Sequence, residues 1–196
     1  QMSTTDIRTV AVIGLGNMGG PMAANLAKAG LTVHGSDPSP EARQTAADAG
    51  VTVHDNAVDA VTAADAVVTM LPNGKIVGAV YDELLPAAPG GALFIDSSTI
   101  AVDDARELNA RVAAAGHRHV DAPVSGGVAG AAAGTLAFMV GGDEPDFVAL
   151  QPTDDVPARL PLLRPVRCDR VELLAHLLEV ALADVAHAAR DCGAHR

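Results

Sequence analysis

A glycine-rich turn around residue 15 constrains this chain more than any other stretch. An apolar, β-branched run over residues 9–13 enters the loop Gly14-x-Gly16-x-x-Gly19, and a small-residue helical pattern follows as far as Gly30. In such a loop the first glycine permits a tight turn, the second lets a ligand approach the backbone, and the third lets helix and strand pack closely. The pattern predicts a strand, a turn and a helix whose first N–H groups face a phosphate.

An acidic residue stands where a dinucleotide-binding unit needs one. Residues 31–33 are predicted as the second strand, and Asp37 lies beyond them, 18 residues after Gly19. At a spacing of about 20 residues a carboxylate accepts hydrogen bonds from the adenosine ribose hydroxyls. The first arginine after Asp37 is Arg43, and a carboxylate repels a 2′-phosphate, so we predict NAD rather than NADP as the cofactor. A glycine-rich turn in another kind of α/β protein is the alternative interpretation.

Strand and helix patterns alternate as far as residue 150. Ser39 followed by Pro40 and Glu41 indicates the start of a helix, and Asn56 is a suitable cap for another. Further strands are predicted over residues 51–53, 66–71, 92–95, 117–120 and 135–140, and a further helix over 102–115. We therefore predict a Rossmann-type, doubly wound α/β domain with a mostly parallel sheet over residues 1–150. Ligands of such sheets bind at the carboxyl ends of the strands.

Charge and hydropathy exclude several kinds of partner. The chain of 196 residues carries a formal net charge of −11, which argues against nucleic acid or an anionic membrane as a partner. It has no apolar run of about 20 residues that could span a bilayer, and we expect no signal peptide before the first strand. Its two cysteines, Cys168 and Cys192, match no metal-binding spacing. We therefore expect a cytoplasmic protein with a small-molecule partner and no metal.

The character of the sequence changes after residue 150. A stretch with no strand pattern is interrupted by Pro152, Pro157, Pro161 and Pro165. Residues 171–189 then give a helical pattern that is apolar nearly all round, and such a helix must be buried. We expect residues 151–196 to be a divergent or truncated helical tail, as a shifted reading frame would produce. A homodimer is one way to bury this helix.

Four motifs follow one another in a characteristic order. They are the glycine-rich stretch 14–26, Met70-Leu71-Pro72, the segment Ile95-Asp-Ser-Ser-Thr-Ile100, and the segment Asp121-Ala-Pro-Val-Ser-Gly-Gly127. Together they resemble the β-hydroxyacid dehydrogenase family over about residues 7–150. The resemblance implies an NAD-dependent enzyme that oxidises a small 3-hydroxy acid, such as the 3-hydroxyisobutyrate of valine breakdown. It also implies contacts to NAD from Gly14, Leu15, Gly16, Asn17, Met18 and Gly19 at the phosphates, Leu71 and Pro72 along the adenosine, and Thr99 at the nicotinamide ribose.

The same resemblance places a substrate carboxylate at Ser125, Gly126 and Gly127. The chemistry is suitable, because a small carboxylate needs an oriented hydroxyl and close backbone N–H donors. A Ser-Gly-Gly sequence offers both without side-chain obstruction. From the residues alone, a flexible loop over 125–134 is an equal alternative.

The family also has a general base that this chain lacks. That base is a lysine in a glycine-rich stretch opening the long helix after the NAD-binding domain, and it takes the hydroxyl proton as hydride leaves. The only lysines here are Lys28 and Lys75, and neither matches. We therefore predict no catalytic residue in this chain. A 3-hydroxyacid dehydrogenase, a sister reductase acting on tartronate semialdehyde or glyoxylate, and a catalytically inactive NAD-binding module stay open as alternatives.

Two histidines and an aspartate alternate along the sixth predicted strand. His117, His119 and Asp121 share one face, and metals use such a spacing. Histidines at a strand edge more often face solvent. We predict solvent-facing histidines and no metal.

Overall fold

The structure of the chain is a computed structural model that describes residues 7–143 and 145–146 in full and residues 164–167 by their backbone. The strands are β1 Thr9–Ile13, β2 Thr32–Ser36, β3 Thr52–His54, β4 Ala66–Thr69, β5 Leu93–Asp96, β6 Arg118–Asp121, β7 Val124–Ser125, β8 Ala137–Gly142 and β9 Arg164–Arg167. The helices are α1 Gly19–Lys28, α2 Pro40–Asp48, α3 Ala57–Val61, α4 Gly74–Leu84, α5 Val102–Ala114 and α6 Gly127–Ala133.

The strands form one sheet with the order β3-β2-β1-β4-β5-β6-β8-β7, and β9 pairs with β8. Strands β1 to β6 are parallel to one another. β6 and β7 pair antiparallel with β8 in one continuous register, with Asp121 opposite Gly141 and Val124 opposite Phe138. The Rossmann-type, mostly parallel α/β fold is therefore confirmed.

Side chains of the central strands alternate between two buried faces. On one face Val10 and Val12 pack in a cluster with Met22 of α1. On the other face Ala11 and Ile13 pack in a cluster with residues of α3, α4 and α5. Because helices cover both faces, the strands are apolar along nearly their whole length. The buried polar residues are therefore conspicuous, and most of them lie at the carboxyl ends of strands: Ser36, Thr69, Asp96, Ser97 and Ser98.

Side-chain caps define where three helices begin. The Ser39 hydroxyl accepts a hydrogen bond from the Ala42 N–H (3.2 Å), and the Asn56 side chain accepts one from the Asp59 N–H (2.8 Å), as the sequence predicts. The Asn73 side chain caps α4 in the same way, because it accepts a hydrogen bond from the Ile76 N–H (3.0 Å). Each cap satisfies an N–H group that has no partner inside its helix. The loops that lead into these helices are thereby held in place.

The glycine- and alanine-rich segment after Ser125 differs from one of the two predicted alternatives. It contains α6, which ends at Gly134 in the left-handed conformation that favours glycine. The alternative of a flexible loop over the whole of residues 125–134 is therefore wrong.

The four described residues after residue 150 form a strand that the sequence did not predict. The backbone of β9 pairs parallel with β8, and Arg164 lies opposite Ala137. Pro165 lies within β9, and a proline is tolerated on a strand that uses one edge for pairing. The predicted helix over 171–189 lies outside the described residues, and the division at residue 150 stays a prediction. None of the helices described is both long and apolar enough to cross a membrane.

Candidate cofactor and substrate site

The turn between β1 and α1 depends on glycine at two positions. Gly14 has φ = +94°, and its N–H donates a hydrogen bond to the Ser36 carbonyl oxygen (2.9 Å), which joins the turn to the end of β2. A Cβ at Gly19 would collide with the Gly14 carbonyl oxygen and would lie 3.4 Å from the Met70 Cβ. Larger residues would therefore separate strand, turn and helix.

The middle of the same turn is open. Gly16 and Asn17 are exposed, and a Cβ at Gly16 would meet no atom within 4 Å. Leu15 is buried, and its Cδ atoms would lie 3.1 Å from a Cβ at Gly35, so its side chain belongs to the core. Met18 is half-buried. The turn thus leaves free space beside the backbone at Gly16, and a pyrophosphate group fits there.

Asp37 is fixed against the glycine turn by hydrogen bonds of its own. Its Oδ2 accepts from the Leu15 N–H (2.7 Å), and its Oδ1 accepts from the Ser39 N–H (2.8 Å). The carboxylate is half-buried at the end of β2. Each oxygen keeps capacity for a further hydrogen bond. The group therefore suits the two hydroxyls of a ribose.

Arg43 is already engaged with neighbouring groups. Its guanidinium donates to the Asp37 carbonyl oxygen (2.6 Å) and forms an ion pair with Asp55 (3.3 Å). A 2′-phosphate at the end of β2 would meet the Asp37 carboxylate and an arginine that is paired elsewhere. This arrangement favours NAD over NADP.

The loops after β4 and β5 are linked through one serine. The Leu71 N–H donates to the Ser98 hydroxyl (2.9 Å). Pro72 and Thr99, which continue these loops, are exposed. Because β4 and β5 are parallel neighbours, the predicted cofactor residues Leu71, Pro72 and Thr99 lie at the carboxyl edge of the sheet. That edge is where α/β sheets bind ligands.

The predicted substrate residues lie where β7 passes into α6. Ser125 is half-buried and pairs with Ala137 of β8. Gly126 and Gly127 are exposed, with φ of +127° and +59°. A Cβ at Gly126 would lie 3.1 Å from the Leu136 side chain. The backbone therefore requires glycine at these two positions, and the chain there is free of side chains that could obstruct a small ligand.

Asn25 connects the cofactor helix to the substrate segment. From α1, its Nδ2 donates to the Ala131 carbonyl oxygen of α6 (2.8 Å). Helix α1 thus carries the glycine turn at its start and holds α6 near its end. Sequence reasoning missed this role of Asn25, because it depends on a residue 106 positions away.

Sequence reasoning also missed a buried polar cluster at the ends of β4, β5 and β6. Thr69, Asp96 and Asp121 are register partners on these strands. Burial raises the pKa of Asp96, although hydrogen bonds from Ser98 and Thr69 oppose the rise. Burial, together with repulsion from Asp96, raises the pKa of Asp121 from 3.8 to about 7. An acid directly after an apolar strand is the signal that could have found both residues.

The histidines of β6 and its entrance are buried, so the prediction that they face solvent is wrong. His117 and His119 are 8% and 4% exposed. The ring of His117 packs against Phe94, and that of His119 packs edge-to-face against Tyr81. Burial lowers the pKa of His119 to about 4, so this ring is neutral at pH 7. Within the part of the chain described, no three histidine, cysteine or acidic side chains converge as metal ligands would.

The fold and the glycine turn define a dinucleotide-binding Rossmann domain. The family model described as the NAD binding domain of 6-phosphogluconate dehydrogenase matches residues 9–156. The chain belongs to the 6-phosphogluconate dehydrogenase and β-hydroxyacid dehydrogenase family, and NAD is its cofactor. The predicted family resemblance is thereby confirmed.

Individual relatives of this chain are named dehydrogenases as well. The "Probable 3-hydroxyisobutyrate dehydrogenase" of Mycobacterium bovis is 58% identical over 136 residues, which is 69% of this chain and 46% of that protein. The NAD-dependent L-serine dehydrogenase of Pseudomonas aeruginosa is 46% identical over 140 residues, or 70% of this chain and 47% of that protein. The solved structure of Mycobacterium tuberculosis 3-hydroxyisobutyrate dehydrogenase with L-serine has a TM-score of 0.79 at 43% identity, covering 95% of this chain and 66% of that one. The chain spans about half the length of the curated relatives it matches.

Proposed function

We propose that this chain is the NAD-binding part of a 3-hydroxyacid dehydrogenase that oxidises 3-hydroxyisobutyrate to methylmalonate semialdehyde in valine degradation. The observation that carries the proposal is the hydrogen bond from Asn25 to Ala131, which attaches α6, the helix that continues from the Ser-Gly-Gly segment, to the helix of the NAD turn. A dinucleotide turn alone fits many chemistries. A segment of one serine and two glycines, held to the helix of that turn through α6, suits a small carboxylic acid beside the cofactor.

On the cofactor side, the residues of this chain bind NAD and orient it. Backbone of the turn from Gly14 to Gly19 receives the pyrophosphate, with Gly16 giving the space, and Asp37 accepts from the adenosine ribose. Leu71 and Pro72 line the adenosine, and Thr99 lies at the nicotinamide ribose. NAD, when bound, supplies the hydride acceptor.

On the substrate side, the Ser125 hydroxyl donates a hydrogen bond to the carboxylate, and the backbone at Gly126 and Gly127 lets the acid approach closely. A half-buried serine keeps its hydroxyl within reach of a ligand while β8 orients it. The segment offers no cation, so binding depends on hydrogen bonds rather than on an ion pair.

L-Serine is a second candidate substrate. It shares the carboxylate and the 3-hydroxyl group with 3-hydroxyisobutyrate and carries an amino group in place of the methyl group. Two relatives favour it: one is named an L-serine dehydrogenase, and the structure of another was solved with L-serine.

The chain of 196 residues should have little dehydrogenase turnover even when saturated with NAD. A general base commonly contributes about 10²–10⁴-fold, and the two lysines, Lys28 and Lys75, lie on α1 and α4 and not in the substrate segment. The test measures NADH formation from 3-hydroxyisobutyrate and from L-serine, beside calorimetric titration with NAD and then with each acid. Weakened acid binding in Ser125→Ala, with NAD binding unchanged, is the result expected of a substrate site.

Turnover near about 10 s⁻¹, a typical enzyme value, would show that another residue supplies the base. Binding of NAD with no binding of either acid would instead identify an inactive NAD-binding module. A cytoplasmic location and a homodimer remain predictions from the sequence.

A further inference from the structure

Asp96 is the centre of a hydrogen-bonded chain that runs from the sheet to the loops of the NAD site. The Thr69 hydroxyl donates to Asp96 Oδ1 (2.9 Å), and the Ser98 N–H donates to the same oxygen (3.1 Å). The Ser98 hydroxyl in turn accepts from the Leu71 N–H (2.9 Å). One carboxyl oxygen is thus connected to the end of β4, to the loop after β5 and, through Ser98, to the loop after β4.

Tyr81 extends this chain to α4. Its hydroxyl oxygen lies 3.3 Å from the Thr69 hydroxyl oxygen. Burial holds the pKa of the Tyr81 phenol well above its ordinary value, so the phenol keeps its proton. The single proton of the Thr69 hydroxyl goes to Asp96, so Thr69 accepts from Tyr81. All three side chains are fully buried, and water does not compete for these bonds.

A carboxyl group at this position is costly for a purely structural purpose. Asp96 Oδ2 is buried and has no hydrogen-bond partner among the described residues. The register partner of Asp96 on β6 is a second acid, Asp121. An apolar side chain of similar size would avoid both the desolvation and the repulsion. It could not, however, accept hydrogen bonds from Thr69 and Ser98 together.

We propose that Asp96 is a positioning residue of the NAD site, which sets the spacing between the loop of Leu71 and the loop of Thr99 through Ser98. The inference rests on the proposed course of NAD along these two loops. Asp96 itself touches no ligand, because it is fully buried. Its effect is to hold two exposed loop segments in the arrangement that a bound dinucleotide requires, before the dinucleotide arrives.

Two adjacent serines provide a matched test. Ser97 and Ser98 are both fully buried, but the Ser97 hydroxyl has no partner among the described residues, whereas the Ser98 hydroxyl accepts from Leu71. In the full chain, Ser98→Ala is expected to weaken NAD binding about tenfold, because the half-buried Leu71 N–H loses its acceptor. The same variant should speed hydrogen exchange of the Leu71 amide about tenfold without NAD present. Ser97→Ala should leave both quantities unchanged.

Two substitutions of Asp96 distinguish the effect of its acceptor oxygen from the effect of its charge. Asp96→Asn retains an acceptor at the Oδ1 position, and its NAD affinity is expected to stay within about threefold of the wild type. Asp96→Leu removes the acceptor and should reproduce both effects of Ser98→Ala. Thermal unfolding of every variant reports whether the chain is folded at the temperature of the binding measurement. If Asp96→Leu does not fold, Ser98→Ala and Asp96→Asn decide the question.

Wild-type NAD affinity in a folded Asp96→Leu chain would overturn the proposal, and so would any of three further results. One is unchanged NAD affinity in Ser98→Ala although the Leu71 amide exchanges faster. Another is an equal loss of affinity in Ser97→Ala and Ser98→Ala. The third is a loss in Asp96→Asn as large as in Ser98→Ala. If Gly16→Val abolishes NAD binding and Ser98→Ala leaves it intact, this inference alone is wrong. If the wild-type chain binds no NAD, the proposed function is wrong as well.

Discussion

The two ends of the cofactor edge deal with polar groups in opposite ways. Where β1 meets β2, the Asp37 carboxylate accepts from two backbone N–H groups and keeps capacity for a ligand. Where β4, β5 and β6 end, Asp96 Oδ2 and His119 Nε2 are buried and have no partner among the described residues. The first region is satisfied and accessible, and it suits direct contact with a ligand. The second is desolvated, and the carboxylates of Asp96 and Asp121 repel each other there. The rest of the fold must offset the free-energy cost of burying these groups.

The largest contrast should come from glycine substitutions in the first region. Gly16→Val is expected to abolish NAD binding, because its side chain would fill the space left for the pyrophosphate. The free energy of unfolding should change by less than about 1 kcal/mol, since a Cβ at Gly16 meets no protein atom within 4 Å. Calorimetric titration and urea unfolding measure the two quantities.

Gly90→Val is the control, because a Cβ at Gly90 also meets nothing within 4 Å and the residue precedes β5 at the opposite edge. Normal NAD affinity in Gly16→Val would show that the loop is only a turn. In that case the first region would no longer be a ligand site, and the comparison would fail.

The second region should reveal itself in the pH dependence of stability. Since burial raises the pKa of Asp121 from 3.8 to about 7, the folded chain binds this proton more tightly than the unfolded chain. The contribution of Asp121 to stability is therefore complete below pH 3.8 and is lost as the pH rises to about 7. Asp121→Asn removes this loss. The difference in the free energy of unfolding between this variant and the wild type should therefore be more favourable to the variant at pH 8 than at pH 4, by up to about 4 kcal/mol.

His119 provides the opposite sign in an overlapping range. Its pKa is lowered from 6.5 to about 4, so its contribution to stability is complete above pH 6.5 and is lost as the pH falls toward 4. The two effects oppose one another between about pH 4 and 6.5, so His119→Phe should leave a free energy of unfolding that falls as the pH rises, whereas Asp121→Asn should leave one that rises with pH. Urea unfolding at intervals from pH 4 to pH 8 compares the two variants with the wild type. Parallel profiles for all three chains would mean that the cluster is hydrated and not strained.

A smaller effect is expected at Asp37. Asp37→Ala removes the acceptor for the ribose and the repulsion toward a 2′-phosphate, so the preference for NAD over NADP should narrow by about tenfold or reverse. Asp37→Asn keeps an acceptor for the turn and should narrow the preference with less loss of NAD affinity. Parallel titrations with both dinucleotides give the ratio. A wild-type chain that prefers NADP would contradict the role assigned to the end of β2.

The first region was predictable because its requirements are local. Gly14 needs a positive φ, Gly19 needs the absence of a Cβ, and Asp37 lies at a fixed spacing from both, so the sequence records each condition directly. The caps at Ser39 and Asn56 were predictable for the same reason. The side chain of Leu15 lies in the core although Gly16, the next residue, is exposed, and the predicted contact of Leu15 with NAD stays a prediction.

The second region was not predictable, because its properties arise from strands that are distant in sequence. Asp96 and Asp121 become neighbours only when β5 and β6 pair. The burial of His119 depends on the ring of Tyr81 from α4. A period-two pattern indicates that His117 and His119 share a face, but it does not indicate that helices cover that face. The resemblance to a family supplied Ser125, and it could not supply Asn25, whose partner lies in α6.

The register of the sheet has a consequence for the order of folding. In β7 and β8 Val124 pairs with Phe138, a nearby residue, whereas in β1 and β4 Val10 pairs with Ala66. Closing the longer loop costs more chain entropy, and non-local pairing is generally slower. We expect pulse-labelled amides of residues 124–140 to become protected before those of residues 10–13 during refolding, and simultaneous protection would contradict this. The NAD turn lies at the junction of β1 and β4, so we expect it to form late in folding. A chain that has acquired affinity for the nucleotide would therefore already have formed the centre of its sheet.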